Sequence, residues 1–253
     1  LRIEKAITIK GNGYTVDCGN FTKGIRVYNN SGAKSGVSFY NITIVNNNAT
    51  GRCVDTRSGN IDLLLYTSTL KATGTSSQPL TLGGSERLYR VRIQATTIDA
   101  GKSGYGVIAF VPSWAGITAS TGSNISGLAA FYLKDGVNGT TLSLDKGTYT
   151  GINKYNQNSG VFGTVVVEGD NNTIAVKASN AVVKAVSADG AESAGQAAFL
   201  VADGATGNKI QLIGEVATEG SQTYLAMVDA DVAASTSFTK NGVAMQYVAE
   251  CSG

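Results

Sequence analysis

The stretch Val37-Ser38-Phe39-Tyr40-Asn41-Ile42-Thr43-Ile44 decides the fold once its ending is followed along the chain. Thr43-Ile44 is one of four Thr-aliphatic pairs, with Thr15-Val16, Thr69-Leu70 and Thr97-Ile98, set at spacings of 28, 26 and 28 residues. A second row runs in phase with them: Ile25-Arg26-Val27, Cys53-Val54-Asp55, Leu80-Thr81-Leu82 and Val107-Ile108-Ala109, about 27 residues apart. Gly, Asn and Ser clusters such as Asn46-Asn47-Asn48 lie between the rows and read as turns. Short strands with two-residue alternation that return at a fixed interval suit a chain passing beside itself after each circuit. The spacing therefore predicts an all-β, right-handed, single-stranded parallel β-helix with coils of about 26–28 residues. Each coil buries its inward residues only against the coils above and below, so the stack is the cooperative unit.

The same alignment assigns side chains to faces. With Ile44, Leu70 and Ile98 stacked inward, the apolar positions five before them, Phe39, Leu65 and Ile93, also point inward. Tyr40, Tyr66 and Gln94 then face outward in one column. Arg92 and Arg90 share that face, and Asp62 is expected to stack beside Arg90. The candidate ligand-binding residues are Tyr40, Tyr66, Gln94, Arg90 and Arg92, because tyrosine rings stack on sugar rings and guanidinium groups hold a carboxylate or sulfate bidentately. The competing explanation is structural: ladders of like residues stabilise a solenoid exterior, and Asp62–Arg90 would be an exposed ion pair contributing roughly 0–1 kcal/mol.

Beyond residue 127 the repeat changes. Asp135-Gly136 through Thr140, Leu142 and Leu144 matches Asp203-Gly204 through Asn208, Ile210 and Leu212, with a looser copy at Glu168-Gly169 through Thr173, Ile174 and Val176. Residues 1–127 are assigned to the β-helix. Residues 128–253 are expected to continue it with larger coils, the alternative being a separate antiparallel β-sandwich, since strand, Asp-Gly turn and strand also spell a hairpin. Charge changes near the same place. Residues 1–110 hold 13 Lys/Arg and 6 Asp/Glu, residues 111–253 hold 7 and 12, and every Arg lies at or before Arg92. Pro112 and the lone Trp114 fall at this junction.

Composition excludes much chemistry. The 253 residues contain no His, which removes Ser-His-Asp and Cys-His nucleophiles, His-ligated zinc and imidazole acid/base catalysis. Cys18, Cys53 and Cys251 show neither CxxC spacing nor a dense disulfide framework, and their odd number leaves at least one thiol free or paired outside the chain. Lys10-Gly11-Asn12-Gly13 lacks the spacing of a phosphate loop and reads as a turn. Glu168 with Asp170, and Asp229 with Asp231, read as solvated acids rather than a Ca²⁺ loop. Sequons occur at Asn20, Asn29, Asn41, Asn48, Asn124, Asn138 and Asn171. Asn41 is better explained as a corner residue in the left-handed conformation that Asn tolerates. The column of Thr15, Thr43, Thr69 and Thr97, one Thr per coil, is too sparse for an ice-binding face. No cofactor, metal site, nucleic-acid partner or membrane span is expected. The chain opens on Leu1 without a basic segment leading into an apolar run, so any signal peptide is expected to have been removed, and the sequence reads as starting within a longer polypeptide.

Ile7-Thr8-Ile9-Lys10-Gly11-Asn12-Gly13-Tyr14-Thr15-Val16-Asp17, with Gly24-Ile25-Arg26-Val27 and Val37 through Ile44, resembles right-handed parallel β-helix proteins of the pectate-lyase-like superfamily over roughly residues 1–110. The opening is especially similar to adhesin-like surface proteins of gut bacteria and archaea. The resemblance implies an extracellular or cell-surface binding or spacer module for an acidic glycan or host-surface component, because one solenoid hosts lyases, hydrolases and passive binders alike. The Asn-Thr-Asp, Asp-Asp, Gly-His-Gly and Arg-x-Lys signatures of polygalacturonase-like hydrolases are missing. A divergent polysaccharide lyase acting on uronate-containing glycans is the remaining enzymatic alternative. Asp17, Asp55 and Arg57 supply its residue types, yet Asp55 with Arg57 is expected to be only a solvated pair at a strand end.

Overall fold

In the computed structural model, residues 1–29, 34–83, 90–110, 116–153, 162–187, 195–221, 223–246 and 248–249 are described. The chain is a parallel β-solenoid. Its strands fall in rotation onto three sheets of ten, ten and eight strands. The first sheet runs from Arg2–Ile3 to Val248–Ala249, the second from Ile7–Lys10 to Val243–Ala244, and the third from Thr15–Asp17 to Glu215–Glu219. Each coil contributes one strand to each sheet, so long-range parallel pairing replaces hairpins almost throughout. The single antiparallel pair among the described residues joins Ser237–Lys240 to Val243–Ala244 at the last rung of the second sheet.

The threonine pairs are in register as expected: Thr15, Thr43, Thr69 and Thr97 stack on the outside of the third sheet. Their aliphatic neighbours Ile44, Leu70 and Ile98 are fully buried, and so are Phe39, Leu65 and Ile93 on the inside of the second sheet. Between those two sheets the chain turns on one residue with positive φ, Asn41 (45°), Thr67 (47°), Ala95 (47°) and Thr121 (58°) in successive coils. Threonine and alanine hold this left-handed conformation because each N–H of Asn41, Thr67 and Ala95 is paired with a carbonyl of the next coil, at 3.0, 3.0 and 3.2 Å. Just inside the corner, the buried Thr96 and Ser123 hydroxyls accept from the Ser68 and Thr96 N–H groups, and the Ser68, Thr96 and Ser123 hydroxyls donate to the carbonyls of Tyr66, Gln94 and Ser120 at 2.7–2.9 Å. That internal ladder fixes the backbone from which Tyr66 and Gln94 project.

The second row carries a correction. Ile25 pairs with Val54 rather than Cys53, and Arg26 with Asp55, one residue from the alignment read off the sequence. Cys53 and Val54 both point inward, Cys53 with its thiol 3.3 Å from the Ile44 carbonyl, so strict alternation fails here, and the register of the strand pair shifts further along, between Val27 and Tyr28.

The sheets do not break near residues 112–127. The strand Tyr105–Ala109 pairs with Ala129–Leu133, and Gly116–Ser120 with Thr141–Leu144, all parallel. The Asp-Gly repeats form stacked turns from the first sheet to the second. There Leu142, Ile174 and Ile210 align, and the fully buried Thr140, Asn172 and Asn208 form a ladder. Asn172 Oδ1 accepts from the Thr140 N–H at 2.9 Å and Asn208 Oδ1 from the Asn172 N–H at 2.8 Å. Pro112, Trp114 and Cys251 lie outside the described residues.

Candidate functional site

The outer face of the second sheet assembles from three strands, Ser35–Tyr40, Ile61–Tyr66 and Arg90–Gln94. Burying Val37, Phe39, Leu63, Leu65, Val91 and Ile93 forces the alternate residues outward. Tyr40, Tyr66 and Gln94 are consecutive register partners, and so are Gly36, Asp62 and Arg90, with Leu64 beside Arg92 between them. The Tyr40 and Tyr66 ring centroids are 5.6 Å apart with planes inclined by 50°, and Tyr66 is 40% exposed. Lys10 extends the tyrosine column by one coil, opposite Tyr40. All five residues singled out from the sequence thus lie on one face.

Asp62 differs from expectation. It is not half of an exposed pair: its side chain is only 10% exposed, and three cations converge on it. Arg90 donates bidentately, Nε to Oδ1 at 3.2 Å and Nη2 to Oδ2 at 2.7 Å; Arg92 Nη2 lies 3.3 Å from Oδ1 and Lys34 Nζ 3.3 Å from Oδ2. Burial pushes the Asp62 carboxyl up, but the hydrogen bond from Arg90, the charges of Arg92 and Arg90 and the hydrogen bond from Lys34 outweigh it and hold the group below its ordinary value. Among the described residues, one carboxylate against three cations leaves this face positive, with both arginines drawn to Asp62. Lys34 was not predicted, since it precedes the strand. Lys10 could have been found, because Ile9 repeats the place of Phe39 one coil earlier.

A second charged cluster, on the outside of the first sheet, was missed. Asp55 is expected from sequence at a solvated strand end; it is instead fully buried in the middle of Arg52–Ser58. Arg57 Nε donates to its Oδ2 at 2.7 Å and Arg52 Nη1 to its Oδ1 at 3.1 Å, while Arg26 Nε approaches to 4.0 Å from the neighbouring coil. Lys23, opposite Arg52 in register, faces the same cluster. The one-residue slip in the second row concealed this arrangement by placing Asp55 opposite Val27.

The acidic corner of the later coils is largely engaged in structure. Glu168 accepts from the Tyr132 hydroxyl and pairs with Lys134 at 3.4 Å. Asp170 accepts from the Thr206 N–H at 2.7 Å, and Asp229 from the Asp231 N–H at 3.0 Å. Carboxylate oxygens of Asp203, Asp229 and Asp231 lie within 4.8 Å of one another. Cys18 and Cys53 are free, buried thiols; burial raises both pKa values. Among the described residues, no helix is long and apolar enough to cross a membrane. Neither family models, nor curated proteins, nor solved structures give a match to this chain.

Proposed function

We propose that this chain is a secreted or cell-surface binding module of adhesin type, and that it takes an acidic glycan on the outer face of the second sheet. The observation that carries the reading is the juxtaposition of the exposed Tyr66 ring with Arg92 and Arg90 on a ladder whose one acid, Asp62, is outnumbered by cations. A sugar ring has an aromatic face to stack on, and its carboxylate or sulfate has guanidinium groups on the next coil to meet, Arg92 two residues and Arg90 four residues along the strand from Gln94, the register partner of Tyr66. Similarity of the opening repeat to pectate-lyase-like β-helices and surface adhesins supports the same placement outside the cell. Among the described residues, Arg90, Arg92 and Lys34 on this face are held by Asp62 rather than poised to abstract a proton. Binding without cleavage is therefore the expected behaviour.

The test is a glycan array of uronate-containing, sulfated and neutral oligosaccharides, run with the wild-type chain and with the Tyr66→Ala/Arg92→Ala double variant. Signal confined to acidic glycans and reduced at least tenfold in the variant is expected. Equal binding by the two proteins rejects this face, and release of unsaturated uronate, followed by absorbance, would replace the reading with a polysaccharide lyase.

A further inference from the structure

The cluster on the first sheet is more than the packing of Asp55 requires. Among the described residues, four cations, Lys23 and Arg26 on one coil and Arg52 and Arg57 on the next, surround a single carboxylate. Asp55 has two oxygens, and these are taken by Arg57 and Arg52. Arg26 is left at 4.0 Å, beyond hydrogen-bond reach, and Lys23 has no ion-pair partner among the described residues. Acceptors are short as well as charge: the Nε atoms of Arg26 and Arg52 are buried with no hydrogen-bond partner among the described residues. A buried donor without an acceptor costs free energy that an incoming oxygen atom can recover after a small rotation of the side chain. The three guanidinium groups keep part of their surface in solvent, with side-chain exposures of 37% for Arg26, 19% for Arg52 and 29% for Arg57. Lys23 already feels the mismatch: desolvation, then Arg57 and Arg26, lower its pKa against the weaker pull of Asp55.

We infer that Lys23, Arg26, Arg52 and Arg57 form a second anion site, which takes a tetrahedral oxyanion, a sulfate group, against the outside of the first sheet. A planar carboxylate is already supplied by Asp55 and meets two of the cations. The unmet donors come from both coils, and an anion with three or more oxygens spread over a tetrahedron accepts from several of them at once. The group arrives either as free sulfate or as a sulfate ester on a glycan. This site lies on a different sheet from Tyr66 and Arg92, so it stands or falls independently of the function proposed above.

The experiment follows the arginine Nε–H resonances by NMR during titration with sodium sulfate at constant ionic strength. A heparin-derived tetrasaccharide and its desulfated counterpart, which keeps its carboxylates, are titrated in parallel. Saturable shifts at Arg26, Arg52 and Arg57 are expected with sulfate and with the sulfated tetrasaccharide, and none at these residues with the desulfated one. Tighter binding of the tetrasaccharide than of sulfate identifies an ester-borne group, and equal binding identifies the free ion. Lys23→Ala/Arg26→Ala removes neither hydrogen bond to Asp55, so its circular dichroism should match wild type while the Arg52 and Arg57 shifts fall at least tenfold in apparent affinity. Tyr66→Ala/Arg92→Ala should leave them unchanged. Linear, unsaturable shifts, or saturable shifts that survive in Lys23→Ala/Arg26→Ala, overturn the inference.

Discussion

Replacing Asn172 by Ala tests how the larger coils are held together. The Asn172 side chain is fully buried and bridges neighbouring coils: Oδ1 accepts from the Thr140 N–H at 2.9 Å, and Nδ2 donates to the Val137 carbonyl at 2.7 Å. Truncation removes both bonds at once. Depriving a buried polar group of its partner costs about 1–3 kcal/mol, so two such losses predict a destabilisation of about 2–6 kcal/mol. For a chain of this size that corresponds to a fall of roughly 4–24 °C in melting temperature. Thermal and urea unfolding followed by circular dichroism would measure it, with Asn124→Ala as the reference. Asn124 projects from the outside of the third sheet into solvent, and its replacement should stay within about 0.5 kcal/mol of wild type. If Asn172→Ala also stays within that band, the buried ladder is not what joins these coils.

Other perturbations have equally definite outcomes. Leu65→Ala empties a fully buried position between Phe39 and Ile93 and should cost about 2–5 kcal/mol in urea unfolding; a value below 1 kcal/mol would mean the interior is not packed as described. Asp62 has a folded pKa below its ordinary 3.8, so its contribution is fully present above that value and disappears as pH falls through the lower folded value. Asp62→Asn should therefore destabilise the chain at pH 7 and converge with wild type in strong acid, and a difference that grows on acidification would contradict the network. In a Cys251→Ser background, a thiol reagent at neutral pH should label neither Cys18 nor Cys53 until the chain is unfolded, because both are buried and burial disfavours the thiolate; rapid native labelling would refute this.

The fold was legible where the solenoid obeys strict alternation. Thr43-Ile44, Thr69-Leu70 and Thr97-Ile98 place one polar residue outside and one aliphatic inside, so they were enough to align the third sheet and, five residues earlier, the second, with Tyr40, Tyr66 and Gln94 in a single column. Legibility failed where the backbone bends within a strand. Cys53 and Val54 face inward together, and no residue type marks that bend, so the alignment slipped by one and separated Arg26 from Asp55. Burial of the two aspartates was missed for a related reason. A lone Asp beside an Arg looks like a surface pair in a linear sequence, whereas Asp55 is covered by Arg52 and Arg57 of its own strand with Arg26 of the neighbouring coil, and Asp62 by Arg90, Arg92 and Lys34 from outside its strand.

The most direct measurement for the central claim is calorimetric titration of the wild-type chain with a uronate oligosaccharide, and with the same oligosaccharide after its carboxyl groups are reduced to alcohols. Parallel titrations use the Tyr66→Ala/Arg92→Ala variant. Stacking on Tyr66 together with carboxylate capture by Arg92 and Arg90 predicts saturable binding of the acidic form, at least tenfold weaker binding of the reduced form, and loss of at least tenfold in the variant. Equal affinity for the two oligosaccharides, or a variant that binds as wild type does, would contradict it.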